Sequence, residues 1–193
     1  MKKRERRVIG WISGALFLLS SLGAQAQGPL PVSDTGALAG TNGSNIVGDG
    51  EFVHMVFAEQ GDIFYVRAVP GEDWEPAIRV NQTQTGCRRP TVSVAAKTVS
   101  VVFLCGQTNY NDLYYTTRFN FRTSVPVSFK PETLLATSAT EPAMISRDGD
   151  VHIVWAEPFG VAYLTFPATG DPSQSLIEYV FNSPICVSQK LAN

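Results

Sequence analysis

The side chains able to do chemistry fall into two sets. The first is polar. Glu59 and Glu157 close two similar segments, Arg88, Arg89 and Glu141 stand just ahead of two others, and Tyr110 lies in CGQTNYND, Cys105 to Asp112. Guanidinium and carboxylate groups form planar, often bidentate hydrogen bonds, and a tyrosine adds an aromatic platform. That combination suits recognition of a hydroxyl-rich ligand, and it equally suits a solvated rim without one. The second set is Cys87, Cys105 and Cys186, with the two histidines, His54 and His152. No Cys, Asp or second His stands at ligand spacing from either histidine, so no metal site is expected. No cofactor is expected either.

The histidines lead to the elements that must position these groups. His54-Met55-Val56-Phe57-Ala58-Glu59 is mirrored 98 residues later by His152-Ile153-Val154-Trp155-Ala156-Glu157. A third copy, Val99-Ser100-Val101-Val102-Phe103, begins 46 residues after Val53 and 52 before Val151. It carries Ser100 in place of the histidine, so the position serves packing or hydrogen bonding. A shorter strand precedes each copy (NIVG, PTVSV, PAMIS). A third strand with an aligned tyrosine follows each: Tyr65, Tyr115, Tyr163. A fourth run closes each unit (WEPAIRV, PVSFKPETLL, SLIEYVF).

Four short strands repeated at this interval are the signature of a β-propeller blade. The second strand is apolar on nearly every position, so both its faces must be covered, as stacked blades provide. A β-sandwich and a β-solenoid are the competing architectures. The expected fold is therefore all-β: a propeller-like array of four-stranded antiparallel blades, about three blades plus one strand, behind a signal peptide. The expected blades run over 44–83, 88–136 and 141–182, with a fourth beginning at 184–193.

MKKRERR is a basic leader, Val8 to Leu22 is a short apolar run, and Ala24-Gln25-Ala26 supplies a small-x-small cleavage site. Together they read as a secretory signal over 1–26, cut after Ala26. The exported product would be periplasmic or secreted. Residues 27–43 are rich in Gly, Pro, Ser and Thr and read as a flexible lead-in. The chain has 15 Lys/Arg and 17 Asp/Glu; without the five and one of the signal, 10 and 16 remain, a net charge of −6. That balance argues against a nucleic-acid partner, whose phosphates need a basic face. No run after Leu22 is long and apolar enough to span a membrane.

The repeat pattern resembles the sialidase-like (BNR, or Asp-box) propellers of exported bacterial proteins: Pro-x-Φ, then Val-His-Φ-Val-Trp, then Φ-Tyr-Tyr, then Gly-x-x-Trp. The resemblance covers Ser44 to the end. It implies a ring of six blades and, in the enzymes of the family, a Tyr nucleophile with a Glu partner, an Asp acid/base and three anion-binding arginines. RAVPGEDW, Arg67 to Trp74, keeps the Gly71 and Trp74 of the Asp box but has Arg67 and Val69 where Ser and Asp belong. Arg88-Arg89-Pro90 loosely echoes the family's Arg-Ile-Pro. The catalytic set is not otherwise present, so no catalytic residue is assigned.

Cys87 and Cys105 flank the hairpin of Thr91–Val94 and Val99–Phe103. With a loop of Ala95-Ala96-Lys97, facing positions sum to 192, which places the two thiols opposite each other and able to bridge. Two reduced thiols are the alternative. Cys186 aligns with Val92 and Met144 and reads as a small core hydrophobe. Three readings of function stay open: glycan or exported-protein binding through the loop rim (Glu59, Arg88, Arg89, Tyr110, Glu141, Glu157), a relative or fragment of a sialidase-type hydrolase, and an assembly part that docks or self-associates through open blade edges.

Overall fold

The computed structural model describes residues 44–106, 111–119 and 128–180. The expected signal peptide, the lead-in and the start of a fourth blade lie outside them. Strands β1 (Ile46–Gly48), β2 (Val53–Glu59), β3 (Asp62–Ala68) and β4 (Ile78–Arg79) form one antiparallel sheet in that order. Strands β5 (Cys87–Ala95), β6 (Thr98–Cys105), β7 (Asn111–Phe119), β8 (Thr133–Arg147), β9 (Asp150–Glu157), β10 (Gly160–Pro167) and β11 (Glu178–Val180) form a second run, again paired in chain order.

The seven-strand run is two blades joined through β8. The first half of this 15-residue strand pairs with β7 and closes the second unit. Its second half pairs with β9 and opens the third. Two separate strands were expected here, with a break over 137–140. The alanines and threonines of LATSAT instead remain extended, since nothing in them breaks a strand. The change of sheet is made by backbone bends at Ser138 and Glu141, which have φ of 63° and 52°.

The three units superimpose in register. His54 lies opposite Arg67, Ser100 opposite Thr117 and His152 opposite Thr165; Val56, Val102 and Val154 face Tyr65, Tyr115 and Tyr163. Each tyrosine is therefore the diagonal neighbour of the residue at the His/Ser position. The hydroxyl of Tyr65 meets His54 Nδ1 at 2.7 Å, that of Tyr115 meets Ser100 Oγ at 3.0 Å, and that of Tyr163 meets His152 Nδ1 at 2.7 Å. The bond gives a phenol and its partner what burial would otherwise deny them.

The units stack face to face. Val56, Ile63 and Tyr65 of the first pack against Val99, Val101 and Phe103 of the second. Val102, Leu104, Leu113 and Tyr115, on the second unit's other face, pack against Ile153, Trp155, Leu164 and Phe166 of the third. Strand β6 is consequently buried at every position. Burial of each large side chain in these layers contributes about 1.5–3 kcal/mol. The first strands stand side by side: Val92 N donates to Ser44 O at 2.8 Å, and Ser146 Oγ to Ser93 Oγ at 2.8 Å.

Candidate functional site

The polar rim is built where second strands end and first strands begin. Arg88 and Arg89 start β5, Glu141 sits mid-way along β8, and Glu59 and Glu157 end β2 and β9. Arg89 Nη1 donates to Glu141 Oε1, an ion pair that ties the second unit to the third. Both residues have left-handed backbone, φ 51° and 52°, and each directly precedes a proline, Pro90 or Pro142. The ladders shift register at both places, between Arg88 and Thr91 and between Thr140 and Ala143. A bulge re-aims a side chain. Proline keeps its predecessor out of the right-handed helical region, and holding a non-glycine residue left-handed costs roughly 1–2 kcal/mol.

The other rim residues have intramolecular work. Arg88 donates to Gly106 O at 2.6 Å, to Gly86 O at 3.5 Å and to Asn111 Oδ1. It clamps the two ends of the β6–β7 connection beside Cys105. Glu157 Oε1 accepts from Trp155 Nε1 at 2.9 Å, which satisfies an indole that is otherwise buried. Glu59 faces Asp62 across the tight Gln60-Gly61 turn. Tyr110 lies outside the described residues. Arg89 and Glu141 are thus a charged, solvent-accessible pair on the rim, with side chains 34% and 44% exposed.

Cys87 and Cys105 are disulfide-bonded and directly opposed. The pairing is as expected, but the ladder beneath it differs. From Thr91 to Ala95 the facing positions are one residue further along (Val94 with Val99, Ala95 with Thr98), because the turn is only Ala96-Lys97, both left-handed at φ 47° and 64°. The bulge at Arg89-Pro90 removes that extra residue and restores the register in which Cys87 meets Cys105.

A second polar cluster lies at the opposite ends of the strands, where no site was expected. Asp49 Oδ2 is 3.7 Å from His54 Nε2. Arg67 Nε donates to Glu75 Oε2 at 2.8 Å and its guanidinium lies 4.8 Å from the centre of the Phe52 ring. Arg118, almost fully buried, lies 5.6 Å over the Tyr65 ring. Burial brings His54 down to about 4 against the pull of Asp49, so it is neutral at pH 7. Burial pushes the Tyr65 phenol well above its ordinary range. A charge inside an otherwise apolar strand, as in DIFYVRA or LYYTTRF, was the available signal. Arg118 occupies the place that Phe166 takes one unit on, where Phe166 meets the Tyr115 ring edge-on at 5.1 Å. The cluster therefore reads as inter-unit packing.

Among the described residues, no group of three or more His, Cys, Asp and Glu is placed to hold a metal ion. A polar groove of about 300 Å³ runs between Tyr115, Thr117, Lys130 and Thr133 on one side and Thr169 and Asp171 on the other, with none of the rim residues in it. No helix among the described residues is long and apolar enough to cross a membrane.

No protein-family model matches the chain, and no curated protein matches it. Solved structures do. A GH43 endo-arabinanase from Bacillus licheniformis is similar over 75% of this chain and 59% of its own length, with a TM-score of 0.50 at 11% identity. The NanB sialidase from Streptococcus pneumoniae matches over 69% of this chain and 22% of its own, with a TM-score of 0.44 at 11% identity. A GH32 beta-fructofuranosidase from Bombyx mori matches over 72% and 36%, with a TM-score of 0.43 at 8% identity. The likeness to the arabinanase, of which this chain spans about three fifths, shows the fold: an antiparallel, propeller-like stack of β-sheets.

Proposed function

We propose that this chain is an exported propeller-type binding protein that recognises a glycan at the rim where Arg89 and Glu141 meet. The observation that carries the reading is the doubled bulge. At equivalent positions of two blades, a left-handed, non-glycine residue before a proline turns an ionised side chain onto one rim. Backbone held in sparsely populated conformations concentrates at functional sites. Arg88 and the Cys87–Cys105 bridge brace the β6–β7 connection beside this pair, so the rim is held in shape before a ligand arrives.

Sugars come first among ligand classes for two reasons. Paired guanidinium and carboxylate groups match vicinal hydroxyls, and the repeats resemble sialidase-like propellers. Catalysis is not part of the proposal. A glycosidase of the common kind needs two carboxylates at a set separation, and here Glu141 is engaged by Arg89 and Glu157 by Trp155. Export follows from the leader sequence, and a disulfide fits an oxidising compartment.

The test is binding to an immobilised oligosaccharide panel that includes arabinan and sialosides, followed by calorimetry on any hit. Loss of charged hydrogen bonds in the Arg89→Ala, Glu141→Ala double variant should weaken binding about ten- to a hundredfold. Glu72→Ala, in the loop after β3, should leave binding unchanged. Equal binding by the double variant would remove this rim from the account. Turnover of a fluorogenic sialoside would replace binding by hydrolysis.

A further inference from the structure

We infer that residues 184–188, Pro184-Ile185-Cys186-Val187-Ser188, dock on the open face of the third unit as the first strand of a fourth. These residues lie outside those described above. Ala143, Met144 and Ile145 of β8, His152 and Val154 of β9 and Tyr163 of β10 line an apolar hollow of about 380 Å³. Ile145 is 60% exposed and Val154 38%. Val154 is the counterpart of Val56 and Val102, both of which are wholly buried. Among the described residues the same surface is therefore closed twice and open once.

What closes it in the first two units is known in detail. Each time it is the next unit, and the next unit's first strand contributes an apolar residue to the layer. Val92 of β5 enters the cluster with Val56, Ile63 and Tyr65. Met144 of β8 enters the cluster with Val102, Leu113 and Tyr115. The proline two residues earlier is Pro90 in one case and Pro142 in the other. Pro184 and Cys186 repeat that spacing, and a thiol is a small, well-tolerated core group. Reach is sufficient. The four steps from Val180, the last residue of β11, to Pro184 span up to about 13 Å, whereas the chain passes from Ala139 to Pro142 in three.

The repeat also fixes the register. Ser93 of one first strand and Ser146 of the next bring their Oγ atoms to 2.8 Å. One unit on, the corresponding positions are Ile145 and Ser188.

Two measurements test this. Cys186 is the one cysteine outside the disulfide. In the native, unmodified chain its alkylation by iodoacetamide should be more than about tenfold slower than in denaturant, since a buried thiol reacts only on local opening. Equal rates would overturn the proposal. The second uses Ile145→Cys with Ser188→Cys in a Cys186→Ser background, which should form a disulfide within one chain on air oxidation. Thiols that stay free overturn the proposal. So does a disulfide-linked dimer, which would seat a second copy on this face instead.

Discussion

Burial of His54 gives the protein an acid dependence that can be read from one side chain. Desolvation is the main cause of its lowered pKa, Arg67 and Arg118 add to it, and Asp49 opposes it. In the unfolded chain the ring titrates near 6.5, and in the fold near 4. Between those values the unfolded state binds a proton that the native state refuses. Stability therefore falls as pH drops from about 6.5 to about 4 and levels off below, by a total of about 3 kcal/mol for this group. Position 100 shows that serine can hold the same bond to a tyrosine. His54→Ser should flatten urea-denaturation midpoints between pH 6.5 and 4. A variant that loses as much stability as the parent over that window would assign the dependence elsewhere. The tolerance for Ser100 made these positions legible as structural from sequence. The tyrosine partners were not legible as partners, because the separations of 11, 15 and 11 residues depend on the length of each intervening turn. The Arg67 and Arg118 cluster was not legible, because Arg67 stood out only as a departure from the Asp box and nothing in the repeat paired Arg118 with a ring one unit away.

Single elements carry strain and staples that separate experiments can reach. The two-residue turn between β5 and β6 places Ala96 and Lys97 in left-handed backbone, which glycine adopts without penalty. Lys97→Gly should raise stability by about 1 kcal/mol, visible as a higher melting temperature; a lower one would mean the turn is not of this type. The Cys87–Cys105 bridge closes a loop with a sequence separation of 18. Its reduction should cost about 3 kcal/mol in the chain-entropy model, measured as the shift in denaturation midpoint with a reductant. An unchanged midpoint would show that the thiols are not joined in the folded chain. The cysteine pairing was legible although the hairpin beneath it was drawn one residue out of register. A shorter turn and the Arg89-Pro90 bulge offset one another, and neither alone is visible in a pattern of apolar alternation. β8 was read as two strands for a related reason: the repeat marks where units begin, and nothing in it marks whether the chain pauses between them.

The whole molecule is a stack whose order follows from strands that are apolar on both faces. Strand β6 could be assigned to the interior from its sequence alone, since a strand with no polar face has nowhere else to go. Strand β9 has nearly the same sequence character, yet among the described residues only one face is covered, with Val154 38% exposed on the other. Sequence pattern specifies what a surface needs, and only the neighbouring sheet decides whether it is met. The ion pair of Arg89 and Glu141 belongs to this scale as well, because it exists only if the second and third units stand side by side at the rim. That adjacency is the claim on which fold, rim and binding proposal all rest. It is tested most directly by Ser93→Cys with Ser146→Cys, whose parent hydroxyl oxygens are 2.8 Å apart on neighbouring first strands. In a Cys186→Ser background the pair should oxidise within one chain and resist alkylation in the native protein. Two thiols that remain freely alkylated after oxidation would contradict the stacked arrangement.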